Sequence, residues 1–202
     1  MNSEQALAGF VKLMALFHIG HTQVNTFNLH QHENVSNEKE TGTISHLHRY
    51  PFELYWFSDG LYIKSADKGY AGCIGGKVTM IGNMKTNDAI EAVRPLVSYE
   101  NEQGFKSNCP FFLQIPEYLK TQNISNNVEE VSIKYLKDGK EASVVFKKLD
   151  FEYSGMTGLE ATDEWMEARK NNSTPLWMKE SDAYRYMEYL PESKTLYVRH
   201  SV

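Results

Sequence analysis

The stretch from Phe52 to Leu96 constrains the fold more than any other part of this chain. Phe52-Glu53-Leu54-Tyr55-Trp56-Phe57 is aromatic and β-prone, and Ser58-Asp59-Gly60 breaks it. Leu61-Tyr62-Ile63 resumes an extended apolar run that ends at Asp67-Lys68-Gly69. A short β-branched strand follows between two glycine turns, from Gly75-Gly76 to Gly82-Asn83. Ala89, Ile90, Val93, Leu96 and Val97 then repeat at helical spacing, so a helix is predicted from Asn87-Asp88. Asn87 is placed to cap its free N–H groups, and Glu91 lies early, where the helix dipole favours a negative charge. Strands and helix together predict a small sheet closed by one amphipathic helix, an α+β fold.

The flanking segments extend this plan. Ser3 to Phe17 reads as a helix with Ser3 as N-cap. Leu7, Phe10, Val11, Met14 and Phe17 share one face, which Leu13 and Leu16 widen. A face so broad needs a cover, either the sheet or a part of the protein outside this chain. Gly20 is expected to end the helix, Gln23 to Phe27 alternates like a strand, and residues 31–43 read as an exposed polar loop. Ile115 to Leu119 predicts a short helix with Pro116 in its first turn. Val128–Leu136 and Ala142–Phe146 alternate around Asp138-Gly139, a hairpin signal. Residues 150–174 are irregular, with Asp163 to Lys170 read as a short helix. Ala183–Leu190 and Thr195–Val202 form a second hairpin around Pro191-Glu192-Ser193.

Composition removes several function classes. A net charge of -5 over 202 residues argues against a general nucleic-acid binder, which needs a basic face. No run of 18 apolar residues exists, so no transmembrane helix is expected, and the start lacks the basic and apolar regions of a signal peptide. Cys73 and Cys109 show no metal spacing. They read as separate buried thiols, with a single bridge as the alternative. Six of the seven histidines lie between His18 and His48. His30/His32 and His46/His48 are i,i+2 pairs that could share a strand face and bind zinc or copper, but no Cys/His framework or HExxH motif accompanies them. Surface histidines, with no metal and no cofactor, are therefore expected. Ser-x-x-Lys occurs at Ser36/Lys39 and Ser65/Lys68 without the partner motifs that would give it catalytic meaning, and no Gly-x-Ser-x-Gly elbow is present.

Two passages resemble known families. Gly76-Lys77-Val78-x-x-Ile81-Gly82-Asn83 followed by a helix resembles a PDZ domain, in which a strand and a helix border a groove that takes an extended peptide by β-addition. Leu13-x-Ala15-Leu16-x-x-x-Gly20-His21-Thr22 ahead of such a domain resembles the tail-specific (C-terminal processing) serine proteases, tricorn-core branch. Ile19 stands where that family has an acidic residue. Leu96-Val97-Ser98-Tyr99-Glu100-Asn101 fits the family's Leu-Val-x-x-Asp/Glu-Asn. The passage Tyr189-Leu190-Pro191-Glu192-Ser193-Lys194-Thr195-Leu196-Tyr197-Val198 resembles the opening of the protease core.

The resemblance implies an N-terminal helical cap and loop over residues 1–49 and a PDZ-like, partly open β-barrel with one or two short helices over 50–149. Over 150–202 it implies a linker and the first hairpin of a protease core whose remainder is absent from this chain. It makes His21 the candidate general base for a serine carried elsewhere. It places the peptide-binding residues at Asp59, Gly60, Leu61, Tyr62 and Ile63, with Ile90 and Val93 on the helix. The usual Gly-Leu-Gly-Phe loop is here Gly60-Leu61-Tyr62-Ile63, with Tyr62 in the place of the second glycine. The expected partners are an extended peptide or protein C-terminus and the rest of a protease core, in the periplasm or at the cell surface of a bacterium. The rival expectation is a stand-alone, non-enzymatic peptide-binding or scaffold protein.

Overall fold

The computed structural model describes residues 3–22, 24, 47–149, 165–167, 176, 179–180 and 183–200. Helix α1 runs Ser3–Ala15, followed by strands β1 (Phe52–Phe57) and β2 (Gly60–Asp67). A 3-10 turn, Lys68–Cys73, leads to β3 (Lys77–Ile81) and a two-residue strand β4 (Met84–Lys85). Then come α2 (Thr86–Val93), a 3-10 turn over Arg94–Leu96, α3 (Glu102–Phe112) and α4 (Pro116–Thr121). Strands β5 (Glu130–Lys137), β6 (Lys140–Lys147), β7 (Trp165–Glu167), β8 (Arg185–Leu190) and β9 (Thr195–His200) complete the order. The fold is α+β, with an N-terminal helix, an antiparallel sheet and a C-terminal hairpin.

The main sheet has the order β1-β2-β3-β5-β6, with β4 paired to β3 and β7 paired to β2. The predicted β5–β6 turn closes as its residues require. Asp138 and Gly139 take φ 51° and 74°, the two left-handed positions that a two-residue hairpin needs, and every residue of β5 pairs in register across to β6. The sheet curls until its ends meet. Leu149 N–H donates to the Arg49 carbonyl at 2.9 Å, and the Phe52 ring packs on Phe146 with centroids 4.5 Å apart. Phe52, Ile63, Ile81, Ile133 and Phe146 are buried inside the curl, and Ala89, Ile90 and Val93 of α2 pack into the same core.

Chain sections differ from the expectation for local reasons. Helix α1 stops at Ala15, and the left-handed residue after it is His18 (φ 51°), so the break comes before Gly20. The N-cap of α2 is Lys85, in extended geometry and without a side-chain bond. Asn87 lies inside the helix and does not cap it. Thr86 instead turns its hydroxyl inward to donate to the Val78 carbonyl at 2.8 Å. Helix α3 was not legible, because Gly104 and Pro110 lie within it. Asn101 starts it by accepting the Gly104 N–H at 2.9 Å, and the tertiary burial of Phe105, Cys109 and Pro110 outweighs weak propensity. Trp165–Glu167, predicted to be helical, is a strand on β2. The expected strand at Gln23–Phe27 (apart from Val24), the loop 31–43, and His30, His32 and His46 lie outside the described residues.

The broad apolar face of α1 divides in two. Ala8, Val11 and Ala15 are buried, whereas Phe10, Leu13, Leu16 and Phe17 remain exposed. Cys73 and Cys109 are free thiols, both buried. Burial pushes their pKa values up, to about 11 and about 12, so both stay protonated at neutral pH.

The chain divides into two compact units, Met1–Ala168 and Arg169–Val202. The second unit is the β8–β9 hairpin with its approach. Lys179 bridges to Glu188 at 2.7 Å, and Arg199 donates to the Lys179 carbonyl at 2.7 Å. No described helix is long and apolar enough to cross a membrane.

Candidate functional site

The β1–β2 turn gathers the polar members of the predicted peptide site. Ser58-Asp59 forms the tip, and Gly60 takes φ 151° beside Lys77. A side chain at Gly60 would put its Cβ 2.6 Å from Lys77 Cε, so only glycine fits there without moving the lysine. The Tyr62 hydroxyl donates to Asp59 Oδ2 at 2.6 Å, and Lys77 Nζ lies 3.5 Å from the same oxygen. The hydrogen bond from Tyr62, with Lys77 nearby, holds the Asp59 carboxyl below its usual value, and the same bond pushes the Tyr62 phenol up. Lys77 at this turn thus already has a carboxylate partner in Asp59.

The apolar members of the predicted site go elsewhere. Leu61, Ile63, Ile90 and Val93 are all at most 3% exposed and belong to the core. Helix α2 packs on β3, β4 and α3. Strand β2 carries partners on both edges. β1 pairs along one edge from Gly60 to Ala66. On the other, Tyr62 pairs with Lys77, Ile63 N–H donates to the Gly76 carbonyl at 3.0 Å, and Gly75 N–H donates to the Ile63 carbonyl at 2.8 Å. Beyond that, Ser65, Ala66 and Asp67 pair with β7. A peptide added beside Gly60–Ser65 would therefore have to displace strand pairing already present. The Ser65 hydroxyl is buried and donates to the Glu53 carboxylate at 2.9 Å, a partner on the adjoining strand.

His21 lies in a loop pinned from outside. Gly20 N–H donates to Glu100 Oε1 at 3.4 Å, and the Ser98 hydroxyl donates to the Thr22 carbonyl at 2.8 Å. The His18 ring meets Tyr99 edge-on at 5.8 Å. The His21 side chain is exposed, and among the described residues no side chain hydrogen-bonds its ring. Ser98 and Glu100 lie in the Leu96–Asn101 motif, and nothing in the sequence marks them as site residues. The structure brings that motif against the Gly20-His21-Thr22 loop, with the Glu100 carboxylate on the Gly20 N–H.

A second histidine is more tightly held. His48 Nδ1 lies 2.6 Å from Glu117 Oε1, and the His48 backbone N–H donates to Glu117 Oε2 at 3.1 Å. Glu117 is buried, and its second oxygen thereby finds a partner. Among the described residues, no group of three His, Cys, Asp or Glu side chains is placed to hold a metal ion.

An apolar cleft of about 590 Å³ opens between the end of α1 and the segment after α2. Leu13, Leu16, Pro95 and Val97 line it, with His18 and Arg94 at its polar side. The Arg94 guanidinium stacks on Phe105 at 3.8 Å and pairs with Glu91 and Glu102, so its charge is already neutralised.

Comparison of this chain with protein-family models, with curated proteins and with solved structures finds no match in any of the three.

Proposed function

We propose that this chain is the N-terminal helix and PDZ-like portion of a serine-peptidase-like protein, which positions a peptide substrate and is not catalytic alone. The observation that carries the reading is the β8–β9 hairpin. In its register Met187 faces Val198 and Tyr189 faces Leu196, and these four side chains are 57–66% exposed on one face. Two antiparallel strands alone are marginal in water, and an open apolar face on such a pair has the character of a sheet fragment missing its cover. A catalytic core that continues this sheet would supply that cover. It would also supply the nucleophile that a base at His21 needs, since activation requires serine and imidazole within hydrogen-bond reach. The pinned loop at Gly20–Thr22 supports a positioned His21 in that arrangement.

A second reading, a stand-alone scaffold that keeps the fold without the chemistry, draws on the core burial of Leu61, Ile63, Ile90 and Val93 and on the doubly paired β2. The native mass separates the two. Immunoblotting the source cell with antibody to this chain should reveal a product well above the mass of 202 residues. That product should hydrolyse peptides and lose at least about a hundredfold of its activity on His21→Ala, the scale expected for removing a general base. A product of 202-residue mass would sink the peptidase reading and leave the scaffold.

A further inference from the structure

We propose that Trp165–Glu167 is an internal stand-in for an extended peptide. It occupies the outer edge of β2 at Ser65–Asp67, and its release opens that edge to a peptide from another molecule. The inference rests on the peptide-positioning function proposed above and specifies where and how the peptide docks.

The backbone pattern carries it. β7 is three residues long and pairs antiparallel, Ser65 with Glu167, Ala66 with Met166 and Asp67 with Trp165. Asp67 donates its N–H to the Pro51 carbonyl at 3.1 Å, on the β1 side. Backbone groups alternate along a strand, so those of Ala66 point the other way, toward Met166. One closely bonded backbone pair, Ala66–Met166, therefore joins β7 to β2, whereas β1 pairs with β2 along six register positions. Residues 148–164 join β6 to β7. Because β7 belongs to the same chain, its pairing is intramolecular, and even a weak internal strand fills the edge until a tighter peptide arrives. β7 runs from Asp67 toward Ser65, which is the direction an antiparallel peptide takes when its C-terminus approaches the Gly60 turn. An edge strand left bare would also invite pairing between chains, and β7 prevents this.

Amide exchange on the full chain tests the first half of the proposal. The Ala66 amide should exchange at least about tenfold faster than that of Asp67. Met166→Pro, which removes the donor facing Ala66, should accelerate Ala66 by a further tenfold while Ile81 and Ile133 keep their protection. Glu167→Pro, whose N–H faces away from β2, should leave Ala66 as in the unaltered chain. The second half uses a fluorescent peptide with the sequence of residues 163–169 as the probe. It should bind the Met166→Pro chain at least about tenfold more tightly than the unaltered one. Equal protection of Ala66 and Asp67, or loss of protection across the whole sheet in Met166→Pro, would make β7 a permanent strand and overturn the proposal. So would an opened Ala66 with no peptide binding. Peptides that bind at another surface would overturn this inference and leave the proposed function standing. A native product of 202-residue mass would sink that function without touching the exchange result.

Discussion

Glu53 shows how a single residue in this chain is committed to structure. It sits on β1 with three donors around its carboxylate: Ser65 Oγ at 2.9 Å, Lys64 Nζ at 3.2 Å and Arg49 Nη2 at 3.4 Å. Partial burial works to raise its pKa, but Lys64, the Ser65 hydroxyl and Arg49 together outweigh it, and the net shift is below the ordinary 4.5. A carboxylate with a lowered folded pKa contributes stability above its unfolded pKa. That contribution disappears as the pH falls through the folded value. Glu53→Gln should therefore cost about 1–2 kcal/mol at pH 7, the scale of a charged hydrogen bond discounted for the half-exposed Lys64. The difference from the unaltered chain should shrink steadily below pH 4.5. Urea midpoints at pH 7, 5 and 3 check this, and a gap that stays constant down to pH 3 would assign the cost to packing instead. None of this was legible beforehand. Glu53 read as one polar residue in an aromatic strand, and its partners became visible only when the register set Glu53 opposite Ser65.

At the scale of elements, the sequence was most informative where turn chemistry and periodicity agreed. Asp138-Gly139 placed the β5–β6 hairpin, and Phe52 to Phe57 placed β1, because φ > 0 positions and alternating burial leave few alternatives. It was least informative where tertiary packing overrides local preference, as in α3 with Gly104 and Pro110, or where a segment takes its structure from a distant partner, as β7 does from β2. Of the residues expected to bind peptide, Asp59, Gly60 and Tyr62 gather at the β1–β2 turn, whereas Leu61, Ile63, Ile90 and Val93 lie in the core. Leu61, Ile63, Ile90 and Val93 have the same chemistry in a groove or in a core, and only three-dimensional packing distinguishes the two. Gly82 illustrates a constraint that crosses elements. It turns β3 into β4 at φ 54°, and a Cβ there would collide with the carbonyl oxygen of Ile124, in the chain leaving α4. Asn83 N–H donates to that same carbonyl at 2.8 Å, so the turn and the α4 exit are locked together. Gly82→Ala should cost about 3 kcal/mol or more, combining the left-handed penalty with displacement of that bond. Gly139→Ala has a similar φ, 74°, but open space around it, and should cost only about 1 kcal/mol. Comparable losses from the two in denaturant titrations would mean that backbone conformation alone, and not the contact with Ile124, sets the demand for glycine.

For the whole molecule, the division at Ala168 sets two regimes of stability. Met1–Ala168 has a continuous core running from Val11 through Ile63, Val93 and Leu119 to Phe146. Among its described residues, Arg169–Val202 has a single hairpin, in which the Tyr186 and Tyr197 rings are 6.3 Å apart and the Lys179–Glu188 pair is partly exposed. A pair of strands with that little burial sits at the low end of local stability, and one transition need not report both units. A chain ending at Ala168 keeps β7 and every residue of the core. Its main thermal midpoint should stay within about 2 °C of the 202-residue chain, the scale set by about half a kcal/mol in a domain of this size. The same truncation removes the exposed Met187, Tyr189, Leu196 and Val198, so binding of an apolar dye and self-association at high concentration should both fall. Differential scanning calorimetry and dye fluorescence on the two lengths make the comparison. A midpoint that drops by 10 °C or more would show that the hairpin contributes to the main core. Unchanged dye binding would move the sticky surface to the exposed side of α1, where Phe10, Leu13, Leu16 and Phe17 form the other apolar patch.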